Sequence, residues 1–191
     1  MKDKRNLILK IAEKLISEKG YTKTTIEQIA NKAKIGKGTF YLYFKNKEDL
    51  FISIIDKNLE NLMREIRKEV EKISDFFDRL KKGIEIYLIY FEKNYTLFKI
   101  LLQEKPFIKG QRFETFWKGF FKKWDFFIKK GFEEQIKNGR LKDFEFEDIL
   151  YSLIGIIHGN IHRWIINGRK YPLREKKDVI LEIFTEGIKR R

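Results

Sequence analysis

No cysteine occurs among the 191 residues. That absence removes a disulfide scaffold, a thiolate zinc site and a cysteine nucleophile together, and it fits the reducing cytoplasm. A chain of this length buries about 70% of its unfolded surface and needs no such staple. Histidine is nearly as scarce: the only two are His158 and His162. Four residues apart, they can share one helix face and hold a metal. There is no glutamate between them in the H-E-x-x-H manner, no third histidine and no thiol, so no metal is expected. Also missing are a P-loop, a G-x-S-x-G elbow and a Ser–His–Asp order. Nothing therefore supports an enzyme or a cofactor, and the many acidic side chains read as solvated helix faces. Long apolar runs are lacking too. The longest lies around residues 149–157, bounded by Glu147, Asp148 and His158, and is too short to cross a membrane. The opening MKDKRNLILK has no apolar stretch of signal-peptide length.

Acidic residues are also in short supply, 28 against 42 Lys and Arg, which leaves a net charge of +14. The imbalance is uneven. Residues 1–47 hold 12 basic and 4 acidic side chains, so one quarter of the chain carries more than half of the excess. A basic domain of this kind attracts polyanions and speeds their capture, with no information about sequence preference.

What is present begins with helical periodicity. Leu7, Ile8, Ile11, Ala12, Leu15 and Ile16 recur at helical spacing between charges and predict an amphipathic helix over about 4–19. Gly20 follows as a left-handed cap. Thr24 opens a second helix, with Glu27 three residues on as in a capping box. Ile26, Ile29 and small Ala30 face inward. Residues 33–36 make a turn, and a third helix spans about 37–43. Asn46 caps a fourth, with Glu48 and Asp49 favourably placed in its first turn.

Two short helices around a tight turn, followed by aromatic and basic residues, suit a helix laid into the major groove with its ends held at phosphates. Gly38 lets the helix start approach DNA closely. Thr39 offers a hydroxyl and a methyl to a base edge or a thymine methyl. Lys37 reaches a guanine or a phosphate. Tyr41 and Tyr43 can bond phosphate oxygens while their rings pack on sugars. Lys47 reads as a phosphate clamp. Thr24 and Thr25 supply hydroxyl and N–H contacts at the start of the second helix. Phe40 and Phe44 read as core.

The stretch from Thr24 to Leu50, above all GKGTFYLYFKNKEDL, resembles the DNA-binding domain of tetracycline-repressor (TetR) type transcriptional regulators. The close match covers the N-terminal quarter. The remainder matches in length and all-helical pattern. The resemblance implies the DNA-contact roles just given, an all-α fold, a homodimer and a C-terminal domain that senses small molecules. Three positions depart from the usual pattern. Lys34 stands where glycine is common, so a left-handed lysine costing about 1 kcal/mol or more is expected there. Gly36 replaces a serine cap, and Tyr43 a frequent histidine.

The expected division is a helix-turn-helix domain over 1–47 and a ligand-binding and dimerisation domain over 48–191, about nine helices in all with no strand. A long helix is predicted over 48–73 and another from Ser74 or Asp75 to about 93. Pro106 closes a short one, and Asn138 and Gly139 stop the next. Another runs from Asp143 to about Asn167, stopped by Gly168, and Pro172 precedes the last. Residues 87–132 hold 15 of the 29 aromatic residues. Phe116, Trp117, Phe120, Phe121 and Trp124 form a stripe that can line a cavity with Tyr87, Tyr90, Phe91 and Phe98. From the pattern alone, core packing is the more economical reading. The resemblance favours a pocket for a small apolar or aromatic effector, with His158 and His162 as its polar members. The helix around 149–157 is apolar on nearly every face and must be covered on two sides. Ile154, Gly155 and Gly159, with Ile180 and Phe184 of the last helix, are expected at a dimer interface.

These observations converge on a sequence-specific, ligand-responsive repressor, acting in the cytoplasm as a homodimer on a palindromic operator in double-stranded DNA, with no membrane partner. A non-specific architectural DNA-binding protein is the alternative.

Overall fold

The computed structural model describes residues 2–96, 98, 99, 119 and 128–190. The fold is all-α. Among the described residues the single β feature is an isolated antiparallel bridge between Leu141 and Lys189. The helices are α1 (Lys2–Lys19), α2 (Ile26–Lys32), α3 (Lys37–Tyr41), α4 (Lys47–Val70), α5 (Phe76–Lys93), α6 (128–137), α7 (Phe146–Ile166) and α8 (Lys177–Ile188). A 3-10 turn, Leu173–Lys176, leads directly into α8.

Two compact units divide the chain, and the cut falls inside α4, between Asn61 and Leu62. It lies well past the domain boundary expected at residue 47. The reason is local: the first half of α4 buries Leu50, Phe51, Ile54 and Ile55 in the same core as α1. Asn58, itself buried, donates to Glu13 Oε1 at 2.9 Å and to Ile54 O at 3.0 Å.

In the first unit α1 buries Ile8, Leu9, Ala12, Leu15 and Ile16, while Leu7 is 44% exposed. The expected stripe was right in period and turned slightly about the axis, with Leu9 inward in place of Leu7. Gly20 ends α1 at φ +86°, as a left-handed cap requires. Helix α2 is capped one residue later than expected. The capping box pairs Thr25 with Gln28, at 3.2 Å and 3.3 Å, and leaves Glu27 outside it. Asn46 caps α4 as expected, accepting from Asp49 N at 2.8 Å, and Asp49 returns the favour to Lys45 N at 2.8 Å.

In the second unit Asp75 caps α5, accepting from Phe77 N and Asp78 N. The core centres on Phe132, which is 1% exposed. Its ring lies 4.9 Å from Phe76, 5.9 Å from Phe146 and 6.2 Å from Phe184. A Cβ at Gly131 would come within 3.0 Å of Phe76, so this close approach depends on glycine. Gly139 and Gly168, at φ +69° and +70°, stop α6 and α7.

Candidate nucleic-acid interface

Helix α3 has five residues, too few to be stable alone, and tertiary packing fixes it. Phe40 and Phe44 are 0% and 1% exposed, with ring centroids 5.7 Å apart. Burying each contributes about 1.5–3 kcal/mol. The guanidinium of Arg5 lies 5.2 Å from the Phe44 ring centroid. The turn before α3 carries Lys34 at φ +54°, the left-handed lysine expected from the sequence.

With Phe40 and Phe44 inward, the opposite side of α3 faces out. Lys37 and Gly38 are exposed, Thr39 is half-buried, Tyr41 is 49% and Leu42 82% exposed, and Tyr43 is half-buried. A Cβ built on Gly38 meets nothing within 4 Å, so packing inside this unit does not demand a glycine there. The Tyr41 ring stands edge-on to Phe40 at 5.5 Å, which steers its hydroxyl away from the core. Leu42 was not singled out in the sequence. It sits about 200° around the helix from Phe40, which is the signal that finds it.

The flanking residues divide. Thr25 is exposed at the N-terminus of α2. Thr24 is fully buried, its hydroxyl donating to Gly20 O at 2.8 Å, which leaves that hydroxyl no path to a phosphate. Lys47 does not point to solvent as a clamp would. Its ammonium donates to Tyr21 O at 3.1 Å, Thr24 O at 3.1 Å and Thr22 O at 3.5 Å, and lies 4.4 Å from the Tyr21 ring centroid. It ties the start of α4 to the turn between α1 and α2. Lys37 forms a close ion pair with Glu27 on α2. The hydrogen bond between them holds the Glu27 carboxyl below its ordinary value and the Lys37 ammonium above its own.

In the second unit, Tyr87 and His158 come together, Oη to Nε2, at 2.8 Å. Withdrawal from water pushes the Tyr87 phenol well above its usual value. Tyr90 and Phe91 are buried, while His162 is exposed. Phe98 is buried and falls in the first unit. Phe116, Trp117, Phe120, Phe121 and Trp124 lie outside the described residues. No group of three metal-ligating side chains occurs among those described. On α7, Gly155 and Gly159 are exposed and Ile154 half-buried. On α8 the expected interface residues need correcting. Ile180 and Phe184 are 0% and 2% exposed, turned into their own unit's core, and the outward apolar residues are Val179 and Ile183, 40% and 56% exposed. Tyr151 and Ile166 extend the exposed stripe on α7.

Residues 8–54 match the family model of bacterial regulatory proteins, tetR family. The N-terminal domain belongs to the TetR family. The likeness reaches beyond that domain. The fatty acid metabolism regulator protein of Bacillus subtilis is 25% identical over 195 residues, covering 98% of each chain. Two solved structures share the fold over nearly their whole length. The fatty acid degradation regulator FadR from Bacillus halodurans has a TM-score of 0.80 at 21% identity, covering 98% of this chain and 97% of its own. FadR from Bacillus subtilis in complex with stearoyl-CoA has a TM-score of 0.81 at 23% identity, covering 95% and 98%. These relatives are transcriptional regulators and not enzymes. No helix among the described residues is long and apolar enough to cross a membrane.

Proposed function

We propose that this chain is a sequence-specific transcriptional regulator, a repressor that releases DNA when a small apolar ligand binds its C-terminal unit. The observation that carries the reading is the outward side of α3. Phe40 and Phe44 anchor the helix, while Lys37, Gly38, Thr39 and Tyr41 stand on the side away from the core. An unpacked glycine beside a hydroxyl, an ammonium and a phenol is what close approach to a duplex needs. Tyr43 and Thr25 add phosphate contacts at the two ends. Thr24 and Lys47 are assigned to holding the turn in place.

The protein acts in the cytoplasm as a homodimer. Its interface is the stripe of Tyr151, Gly155, Gly159 and Ile166 on α7 with Val179 and Ile183 on α8, where the glycines permit a close neighbour. A two-fold dimer reads a palindrome whose half-sites are about 34–36 Å apart or a multiple of that. The effector is apolar. The relative solved with stearoyl-CoA makes a long acyl chain the first class to test. Ligand shifts the dimer away from DNA to the extent that it binds the released state more tightly.

Enrichment from a random duplex pool, followed by footprinting, tests the reading. A symmetric sequence protected on one face of the helix is expected. A pool that never converges supports instead a non-specific architectural protein.

A further inference from the structure

Glu27 lies in the first turn of α2 and Lys37 is the first residue of α3, so the ion pair between them bridges the two helices at the tip of the first unit. Both side chains are more than half exposed. Glu27 takes no part in the capping box, which Thr25 and Gln28 complete by themselves. Its carboxylate is therefore not needed to start α2, and it is aimed at the one lysine on the candidate reading helix.

We infer that Glu27 is a specificity-determining residue, which holds the Lys37 ammonium away from phosphates until a duplex presents a base edge worth more than the pair. This rests on the DNA-binding reading proposed above. Non-specific binding comes from neutralising phosphates, each lysine contact releasing counterions. A lysine already neutralised by Glu27 contributes little to that term. An exposed ion pair is weak and opens readily. A lysine reaching O6 and N7 of guanine gains a sequence-dependent contact that a phosphate does not offer. Glu27 thus lowers binding to every sequence while costing less where Lys37 finds its base. The specificity ratio rises although total affinity falls.

The test uses the full-length chain and a four-member cycle: wild type, Glu27→Gln, Lys37→Met and the double variant. Each is titrated with a random-sequence duplex and with the most enriched duplex across a salt series. Glu27→Gln is expected to tighten random-duplex binding about 3- to 10-fold at low salt and to steepen the salt slope by about 0.9 for each phosphate contact released. Binding to the enriched duplex should change less, so the ratio falls. In the Lys37→Met background the same substitution should change random-duplex binding by less than about 2-fold, because its partner is gone. An equal gain in both backgrounds means Glu27 acts only through its own charge and overturns the inference, as does no gain in either. A wild-type chain that binds neither duplex overturns the DNA-binding reading first. Matching circular dichroism and thermal midpoints across the cycle confirm that all four proteins are folded.

Discussion

Replacing Lys47 with methionine keeps the aliphatic stem and removes the ammonium. Two of its hydrogen bonds, to Tyr21 O and Thr24 O, are 3.1 Å long, and a third, to Thr22 O, is 3.5 Å. A hydrogen bond from a charged donor contributes about 1.5–3 kcal/mol when dry, and less with water at hand. Lys47 is half-buried, so about 1 kcal/mol for each of the two shorter bonds is reasonable, and the longest adds little. Lys47→Met should therefore destabilise the DNA-free first unit by about 2 kcal/mol. Urea denaturation followed by circular dichroism reads the total. Hydrogen exchange at the amides of residues 21–25 localises it. The same variant should leave the salt slope of random-duplex binding unchanged, since the ammonium is engaged by carbonyls. A phosphate clamp behaves otherwise: its loss lowers the slope by about 0.9 per contact with little effect on stability. A loss below about 0.5 kcal/mol together with a flatter slope would refute the tether.

Four further outcomes are expected. Gly38→Ala should raise stability by about 0.5–1 kcal/mol, because a helix gains from alanine and the new Cβ meets nothing, yet it should weaken DNA binding; a variant that binds as well as wild type would show the glycine to be incidental. Lys34→Gly should stabilise by about 0.5–1 kcal/mol in urea, the left-handed cost of about 1–2 less the entropy glycine loses on folding. Phe132→Ala should cost about 3–5 kcal/mol, because the ring touches Phe76, Phe146 and Phe184. Ile183→Glu should leave the fold intact and shift sedimentation from dimer to monomer, since the residue is 56% exposed; an unchanged dimer would move the interface elsewhere.

One pH dependence follows from Tyr87. Its folded-state value lies above the ordinary 10.0, so the folded protein holds the proton longer than the unfolded chain. The stability this gives is fully present below pH 10.0 and is lost as pH climbs past it. Tyr87→Phe should flatten that decline in a denaturation series, and an identical decline in both proteins would assign it to other groups.

The helix-turn-helix was legible because its signals are local. Gly20, Asn46 and the Phe40/Phe44 spacing fix caps and inward faces from sequence alone, and the left-handed Lys34 followed from the turn's geometry. Failures came where two local solutions tie. Thr24 with Glu27 and Thr25 with Gln28 have the same spacing, and the bond from Thr24 to Gly20 O, which settles the choice, depends on the turn's fold. On α1 and α8 the period was right and the face was off, because periodicity cannot say which neighbour a stripe meets. Ile180 and Val179 are adjacent, and packing on α5 and α7 turns the former inward. Lys47 and Lys37 read alike as free cations. Their partners lie 23 to 26 and 10 residues away in sequence, beyond any pattern argument.

The most direct measurement is the ratio of affinities for an enriched palindrome and for random duplex at one salt concentration. The outward face of α3 predicts a preference of at least about a thousandfold with two chains per site. Equal affinities would contradict it.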